Sequence, residues 1–437
     1  MPFIHRRGRL FLGRETATYG TGSTVALPGI LYGPFSGLTT ATLGAQASVP
    51  GIALPTLTRE FEPQFLKHQS PMQLGRKFED VMLVPGRRQG AGQFQIEVTP
   101  DVFGLILLLT LGTDVVTSTA STTLTGAGNT ANATTITLAA NSDPALVDGQ
   151  VLWINDGVSS EYVMVNGAQS SSATSIPIRG GAGTGGGLKF THAAAIPLQI
   201  GPWTHSFTPS AGSPGTFQAE DNWGGFATSL LYKGLLIDSL ELQAPIENDT
   251  AALTALIKVL GMAPGAAPVA ASVAPTGIPI EEVAIGAGNS ATLTATGATS
   301  PTIYVPDAKI TILNTAKLAK AQVSSPDPYS AIGTNFSVRG TMETVFEDQG
   351  VFQDFANNNI WNNAILTYTW PNALLKANPI VAAKLTTTIQ RFAIEKASKA
   401  TMKDEMVHYP IDAWRAQDYP DFTNVITIAL INNCASY

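Results

Sequence analysis

The 437-residue sequence is poor in charged side chains and contains one cysteine. Charged residues make up 13% of the chain, about half of the 25% that is usual in soluble domains. The surface must therefore consist largely of Ser, Thr, Asn, Gln, Gly and Ala, which favours packing against further copies of the chain. The net charge of -7 argues against a protein that binds nucleic acid through a broad basic face.

Several other classes of protein are excluded by what is scarce. The lone Cys434 rules out an intramolecular disulfide framework and a thiolate metal cluster. The histidines are never spaced i and i+4, so a zinc site or a two-histidine carboxylate site has no support. The longest apolar run, Val102–Leu111, is about half of a membrane span, and the basic start of the chain lacks the core of a signal peptide. We therefore expect a protein that is soluble and intracellular when made. The five histidines are His5, His68, His192, His205 and His408.

Residues 1–58 show little periodicity and many glycines and prolines. An unperiodic stretch of this length is either disordered or ordered by a neighbour. Its apolar residues are too numerous for a purely disordered tail, so we expect an extended arm that docks on an adjacent subunit. These apolar residues are Ile30, Leu31, Tyr32, Phe35 and Leu38.

The order strand, strand, short helix, strand, strand occurs twice in the rest of the chain. In the first half it comprises Lys77–Val84, the alternating Phe94, Ile96 and Val98, a helix at Val102–Leu111, and strands at Trp203–Thr208 and Leu235–Leu242. In the second half it comprises strands at Lys309–Asn314 and Phe336–Phe346, a helix carrying Val351, Phe352 and Phe355, and strands at Ile365–Trp370, Leu385–Ile394 and Val425–Ile431. Pro100 opens the first helix and Gly112 closes it. The shared order predicts an internal duplication; a coincidence of turn-rich β patterns is the alternative.

Residues 118–200 interrupt the first half and predict a small all-β module. Residues 117–131 are almost entirely Thr, Ser, Ala, Gly and Asn, which is typical of a linker. Asp148-Gly149 and Asp156-Gly157 are hairpin signals between apolar runs. The expected strands are Thr134–Leu138, Val151–Ile154, Glu161–Val165, Ser175–Arg179 and Ala195–Ile200.

These patterns together predict the domain organisation. The predicted units are an extended arm at 1–58, a discontinuous first β domain at 59–117 and 201–262, the inserted module at 118–200, a linker at 263–277 and a second β domain at 278–437. Each β domain is then of ordinary size.

No motif predicts catalysis or cofactor binding. Gly181–Gly186 matches G-x-G-x-x-G, but Leu188–Thr191 after it predicts a strand instead of the helix that a dinucleotide site requires, which favours a mobile hairpin loop. The sequence has no Walker motif and no G-x-S-x-G nucleophile elbow. We therefore expect no enzyme, no catalytic, cofactor-binding or metal-binding residues, and no cofactor.

Three groups of polar residues each have more than one interpretation. Glu343, Glu347, Asp348 and Asp354 could form a catalytic pair or a cation site. The spacing places Glu343 and Glu347 on one strand face, and we expect that face to be either solvated or the lining of a pore, where it would repel DNA phosphates. The arginines near the N-terminus and in the first half are too sparse for nucleic-acid binding and form either interface salt bridges or solvated charge. His205 is expected to be packed in a strand rather than to be a ligand. The arginines are Arg6, Arg7, Arg9, Arg14, Arg87 and Arg88.

Sequence elements along the whole chain resemble those of the tail tube proteins of bacteriophages with long, non-contractile tails. Gly13–Thr21 is similar to the E-x-T-x-Y-G-T start of that family, and Tyr232–Leu242 is close to its Y-x-G-x-x-v-x-S-l-x-l element. Their order, from about residue 13 to residue 432, makes the resemblance specific. The other similar elements are Leu108–Gly112, Thr204–Phe207 and Val425–Asn432.

The resemblance implies a mainly β fold with two tandem β-sandwich or barrel domains, each with a short flanking helix. It implies a structural virion protein that self-assembles into stacked rings and forms the hollow tube for genome delivery. If family rings hold six such domains, a chain with two of them forms trimeric, pseudo-hexameric rings, with six chains per ring as the alternative. We expect the 118–200 module outside the tube and the 1–58 arm between rings.

The resemblance also implies partners and a location. The partners are further copies of the chain, the tape measure protein, and the tail tip and terminator proteins; double-stranded DNA passes through the lumen, and no membrane is involved. The location is the virion tail, after assembly in the host cytoplasm. The alternatives are a decoration or minor tail protein, or an adhesin with a carbohydrate-binding insert. In that insert Trp153, Tyr162 and Phe190 stand far apart, which argues against a sugar platform.

Overall fold

The computed structural model describes most of the chain. Its described residues are 9–15, 52–54, 56–69, 83–126, 129–139, 145–181, 183–222, 228–245, 253–264, 269–270, 292–299, 303–319, 327–346, 350–377, 380–398, 401–403, 406–417 and 424–437. Over these residues the chain is mainly β, as the sequence predicts.

The first half of the chain begins with β1 (Arg9–Arg14), β2 (Ile52–Leu54), β3 (Thr56–Gln69), β4 (Leu83–Glu97), α1 (Pro100–Leu111) and β5 (Gly112–Thr123). The inserted module contains β6 (Thr135–Thr137), β7 (Ala145–Leu146), β8 (Val151–Ile154), β9 (Glu161–Val165), β10 (Gln169–Ser170) and β11 (Ser175–Arg179). The first half resumes with β12 (Pro197–Pro209), β13 (Phe217–Asn222), β14 (Thr228–Pro245), β15 (Thr254–Gly261) and β16 (Val269–Ala270).

The second half follows the same alternation of strands around one short helix. Its elements are β17 (Thr292–Thr296), β18 (Ile303–Leu313), β19 (Ala316–Leu318), β20 (Ala331–Gly333), β21 (Ser337–Phe346), α2 (Gly350–Ala356), β22 (Ile360–Ala377), β23 (Ile380–Lys396), β24 (Thr401–Lys403), β25 (Met406–Ala416) and β26 (Ile426–Asn432). The predicted strands and helices of this half therefore all have counterparts in the structure.

Twelve of the strands form two antiparallel ladders, which the pairing of β23 with β25 joins. The first ladder has the order β3-β4-β15-β14-β18-β21-β25 and therefore runs through both halves. The second has the order β5-β12-β26-β23-β22, so the C-terminal strand β26 lies between a strand of each half. Inward-facing residues of both ladders pack in one hydrophobic cluster. The two halves consequently share one core. Representative members are Phe94, Leu240, Ile310, Phe207, Leu385 and Ile428.

Helix α1 is buried along its whole length. It is apolar on all sides, which is the pattern of a helix enclosed by other elements. Pro100 occupies its first turn, and Gly112 ends it in the left-handed region at φ 93°, where glycine carries no steric cost. The prediction of this helix and of both its ends is confirmed.

The order strand, strand, helix, strand, strand occurs in both halves of the structure, but the first copy differs from the prediction. The predicted strands Trp203–Thr208 and Leu235–Leu242 lie in β12 and β14, so the last two strands of that copy are β5 and β12. Of the predicted strand Lys77–Val84, residues 77–82 lie outside the described residues. The hairpin β3/β4, helix α1 and hairpin β5/β12 correspond to β18/β21, α2 and β22/β23. Gly90 pairs with Pro63 and Gly340 with Ile310, and each glycine lies ten residues before the start of its helix. A methyl group on either glycine would overlap a backbone carbonyl. The same steric requirement therefore recurs at the same place in each half.

The predicted N-terminal arm contains strands of the chain's own sheet. β1 pairs with both β2 and β13, and its Leu10, Phe11 and Leu12 are all buried. A strand covered on both faces has no polar-apolar alternation, which is why its periodicity is weak. For Arg9–Arg14 and Ile52–Leu54 the prediction of an arm docked on a neighbour is wrong; residues 1–8 and 16–51 lie outside the described residues.

The predicted linker at 117–131 is in part a strand. β5 continues to Thr123 and pairs with β12 from Gly112↔Pro209 to Thr123↔Pro197. Thr is β-branched and favours strands, so composition alone misassigned this stretch. The module is thus an extension of the β5/β12 hairpin. Within it β8, β9 and β11 have the predicted bounds, whereas Asp156-Gly157 belongs to a longer connection with a 3-10 turn at Gly157–Ser159.

We predict that Gly104→Ala destabilises the protein although alanine is the better helix former. A methyl group on Gly104 would overlap the ring of Tyr437, and such overpacking costs about 1–3 kcal/mol, against about 1 kcal/mol of gained helix propensity. Thermal and urea unfolding measure the difference. In a variant that lacks Tyr437, Gly104→Ala should increase stability, because the overlap is gone and the gain in helix propensity remains. Gly212 has open space around it, so Gly212→Ala should be nearly neutral. Equal stability of Gly104→Ala and wild type would contradict the contact.

Candidate functional site

The junction between the two halves is the contact between β14 and β18. The N-terminal part of β14 pairs with β13, and its residues Ser239–Pro245 pair with Asp307–Leu313 of β18. Across this junction the Lys309 ammonium lies 2.6 Å from a carboxylate oxygen of Glu241. The side chain of the buried Asn314 donates to the carbonyls of Thr110, at 2.9 Å, and Ile237, at 3.1 Å. The junction is therefore built into the backbone and tied to the end of α1.

The ends of the first ladder have different surroundings from its middle. Among the described residues, β3 pairs with one strand, β4. At the opposite end β25 pairs with β21 on one side and with β23 and β24 on the other. β3 is thus an edge strand of the described part of the chain, the kind of strand that pairs with another chain.

The outward face of the first ladder carries charges of both signs. A cleft of about 460 Å³ on this face is lined by Glu60 and Glu62 of β3, Gln93 of β4, Asp238 of β14 and Lys258 of β15. The Gln93 amide donates to Glu60 at 3.1 Å. The outward face of this ladder is therefore charged, although charged residues are few in the sequence as a whole. Its other charged members include Glu241, Lys309, Arg339, Glu343 and Arg415.

Asp354 of the predicted acidic group is buried and structural. Its carboxylate accepts hydrogen bonds from the Thr299 amide at 2.8 Å, the Thr299 hydroxyl, the Asn359 amide at 2.9 Å and the Trp361 indole at 3.0 Å. Burial alone would raise the pKa of Asp354, but these hydrogen bonds outweigh burial and lower it. Asp354 lies in α2 and not on the strand face of Glu343, and four donors converge on its buried carboxylate.

Glu343 belongs to a second group of titratable residues. It lies opposite Asp307 in the β18–β21 register, and its Oε1 is 2.6 Å from Nδ1 of His408. Burial raises the pKa of Asp307, and the charge of Glu343 raises it further. The structure thus brings together residues that the sequence separates by up to 101 positions. Glu347 and Asp348 lie outside the described residues.

The arginines do not form one basic surface in the described residues. Arg88 of β4 makes a two-point ion pair with Asp327, which precedes β20, and Arg87 is exposed. Arg88 therefore links the two halves within one chain instead of reaching a neighbour. Arg9 and Arg14 are in β1, and Arg6 and Arg7 lie outside the described residues.

The prediction that His205 is a packed strand histidine is confirmed. It is buried in β12, with Nδ1 2.9 Å from Asp114 and Nε2 2.9 Å from the carbonyl of Cys434. Its ring stacks on Phe207 at 5.8 Å and contacts Tyr437 at 4.8 Å. His205 consequently anchors the C-terminal residues to the second ladder.

The C-terminal tail, residues 433–437, is a functional element that the sequence did not predict. The backbone N–H of Asn433 donates to the carboxylate of Asp101 at 3.1 Å, and the Cys434 thiol donates to the backbone carbonyl of Asp101 at 3.1 Å. The Ala435 amide donates to the Tyr162 hydroxyl of the module at 2.8 Å. The tail thus joins the start of α1 to the inserted module. The signal in the sequence, two small residues (Cys434 and Ala435) between the polar Asn433 and Ser436, is too weak to find it.

The aromatic residues of the module are neighbours in the structure. Trp153 and Tyr162 are register partners in β8 and β9, with ring centres 6.1 Å apart, and Trp203 packs edge-on against Tyr162. The expectation that Trp153 and Tyr162 stand far apart is wrong, because a tight strand pair brings them together. All three rings are buried, so they form the seam between module and body and offer no surface to a sugar.

The glycine-rich stretch 181–186 forms a turn and opens no helix. A 3-10 turn covers Thr184–Gly186, and Ala182 lies outside the described residues. The predicted strand at Leu188–Thr191 is absent from this described stretch. The amides of Lys189 and Phe190 bind the carboxylate of Glu161 instead of a neighbouring strand.

The described residues contain neither a cluster of metal ligands nor a helix able to span a membrane. Over the described ranges, no group of three or more His, Cys, Asp and Glu side chains is arranged to hold a metal ion. In the same part of the chain, no helix combines the length and apolar character that crossing a membrane requires. The polar groups described above serve mainly to hold strands, turns and the tail in place.

These features indicate a class of protein. The described residues form a β-rich scaffold with an edge strand, a charged outer face and buried polar groups that serve its architecture, which is the organisation of a structural protein. A family model described as phage tail tube protein matches residues 6–390. The chain therefore belongs to the phage tail tube protein family, as its sequence elements indicate, and is a component of the phage tail. A comparison with curated proteins found no match.

We predict that Asp354→Asn destabilises the protein by about 2–3 kcal/mol, because an amide nitrogen would face donors that require an acceptor. Since hydrogen bonding lowers the folded pKa of Asp354 below 3.8, the carboxylate contributes its full stability above that pH, and the contribution is lost as the pH falls through the folded pKa. Urea unfolding as a function of pH measures both effects. The variant should lose less stability on acidification than wild type.

Asp148→Asn provides the control, since Asp148 has a half-exposed side chain in a surface ion pair with Arg179. Surface pairs contribute about 0–1 kcal/mol, so this variant should keep nearly full stability at neutral pH. A similar small loss in both variants would contradict the structural role of Asp354.

Proposed function

We propose that the chain polymerises into stacked rings of three copies around a hollow lumen, and that this tube conducts the phage genome into the host. The observation that carries the proposal is the continuous first ladder, in which β14 of one half pairs with β18 of the other. One chain then supplies two of the six tube domains of a ring. Closed rings require such head-to-tail contacts.

The internal repeat supports a specific contact between copies. β18 is the counterpart of β3 in the repeat. When Gly340 is aligned with Gly90, Asp307–Leu313 of β18 is equivalent to Glu60–Leu66 of β3. In β18 this segment pairs with β14. We infer that the same segment of β3 pairs with the far edge of a neighbouring copy, where β24 has β25 as its one partner among the described strands. Pro63 lacks an N–H at this edge, which limits uncontrolled pairing.

The charged outer face of the first ladder is the proposed wall of the lumen. Glu60, Glu62 and Glu241 lie there beside Lys258 and Lys309. Carboxylates repel DNA phosphates, and neighbouring cations prevent a uniformly repulsive field. DNA would therefore pass without sequence-specific binding. The tape measure protein is the proposed occupant before ejection, the tail tip and terminator proteins bind the tube ends, and assembly takes place in the host cytoplasm.

The inserted module belongs on the outside of the proposed tube. It extends the β5/β12 hairpin, which is part of the second ladder, away from the charged face. The domain bounds predicted from the sequence remain part of this proposal. The alternative function, a decoration or minor tail protein or an adhesin, differs in that it needs no polymer; a carbohydrate-binding module is disfavoured because Trp153 and Tyr162 are buried.

We predict that the purified protein at high concentration forms uniform hollow filaments with three chains per ring and the 118–200 module projecting outward. Cryo-EM reconstruction measures the symmetry and the position of the module. Six chains per ring or an inward module would contradict the ring model. Compact monomers that stay unpolymerised even when seeded with purified tail tips would support the alternative function.

The N-terminal arm allows a separate prediction. Leu12 and Ile52 are register partners in β1 and β2, so a short Gly/Ser turn can replace residues 17–49 and keep both strands. If the arm bridges rings, this variant keeps the thermal stability of the wild type and loses filament formation. Unchanged polymerisation, with wild-type stability as the folding control, would refute the bridging role.

A further inference from the structure

A histidine of the inserted module lies between two carboxylates. Nδ1 of His192 is 2.9 Å from Oδ2 of Asp156, and Nε2 is 2.8 Å from Oε1 of Glu161. The side chains of His192 and Glu161 are fully buried, whereas that of Asp156 is 27% exposed. The body of the tube domain uses none of these three residues, so their arrangement concerns the module itself.

The geometry selects the doubly protonated form of His192. A carboxylate only accepts hydrogen bonds, so each ring nitrogen must carry a proton to bind its partner. A neutral imidazole would turn one lone pair toward a carboxylate. Burial alone would lower the pKa of His192, but the hydrogen bonds and charges of Glu161 and Asp156 outweigh burial and raise it above 6.5.

His192 ends a segment that closes the module, residues 187–192, here named the strap. Leu188 inserts into the module core, and its amide and carbonyl bond to Ala133 and Asn132. The amides of Lys189 and Phe190 donate to Glu161 at 2.8 and 3.1 Å. Glu161 thus receives three donors from the strap, one of which is the His192 ring.

The charged groups around the strap come from three elements. Asp156 belongs to the connection between β8 and β9, and Glu161 is the first residue of β9. Lys189 lies on the strap itself, with its Nζ 5.2 Å from the centre of the Phe190 ring. The imidazolium therefore stands between two carboxylates and offsets their repulsion, because a buried like-charged pair is unfavourable.

We propose that His192 is a pH-operated latch that holds the strap against β9 while protonated and releases the strap when it loses its proton. Below pH 6.5, the pKa of an unperturbed histidine, His192 is protonated in both the open and the closed strap, and the closed strap has its full stability. Between that pH and the raised pKa of the closed strap, opening becomes about tenfold more favourable per pH unit. Above the raised pKa, opening no longer depends on pH.

Hydrogen exchange of the full chain from about pH 6 to about pH 10 tests the latch. After correction for intrinsic exchange, the protection of Lys189 and Phe190 should fall about tenfold per pH unit above pH 6.5 and then level off. Amides of β26 in the shared core are the internal reference and should stay constant. Constant protection of the strap across this range would overturn the proposal.

Two variants separate the latch from general loosening. His192→Gln cannot titrate, so its strap protection should be independent of pH, whereas Asp148→Asn, which removes an ion pair elsewhere in the module, should keep the wild-type slope. An unchanged slope in His192→Gln would overturn the proposal. If that variant fails to fold, an NMR titration of the His192 ring in the wild type decides: a midpoint above 6.5 supports the latch, and one at or below 6.5 refutes it.

Discussion

The pairing of β14 with strands of both halves is the constraint on which the rest of the structure depends. β14 hydrogen-bonds to β13 and β15 of its own half and to β18 of the other. Separating the halves would break both the contact of β14 with β18 and the contact of β12 with β26, which leaves four strand edges without partners and opens the common core to water. Buried backbone groups without partners are costly. The two halves are therefore joined through paired strands and a common hydrophobic core.

The two ladders of this system present different surfaces. The first collects charges of both signs on its outward face, while the outward face of the second is rich in hydroxyl groups and small side chains. One cross-strand row of the second ladder consists of Val115, Ser206, Ala429, Thr386 and Thr367. That division fits a tube whose inner and outer walls meet different surroundings.

The inserted module is coupled to this scaffold through the C-terminal tail. The tail binds Asp101 at the start of α1, His205 in β12 and Tyr162 in the module. The seam consists of buried aromatic side chains, which hold the module in one orientation. The strap around His192 lies at a different place in the module, where the contacts of His192 with two carboxylates add to the packing of Leu188. Rigid attachment and local opening are therefore compatible in the same module.

The elements with strong local signals were predictable from the sequence. Helix α1 is apolar throughout and carries its own start and stop residues, and strands such as β8, β9 and β26 combine apolar residues with clear turns or alternation. The family resemblance was predictable for the same reason, since it depends on short local motifs in a fixed order. Strand β1 and the end of β5 were missed because a fully covered strand and a Thr/Ser strand lack that alternation.

Only the tertiary structure decided which distant residues meet. The partners of β14, the four donors around Asp354, the tail on Asp101 and the two carboxylates on His192 all come from segments that are separate in the sequence. Composition and periodicity report how one segment divides between core and solvent. They contain no information on which strand edge or hydrogen-bond donor a segment will meet, because packing and hydrogen bonding among distant segments decide that as the chain folds.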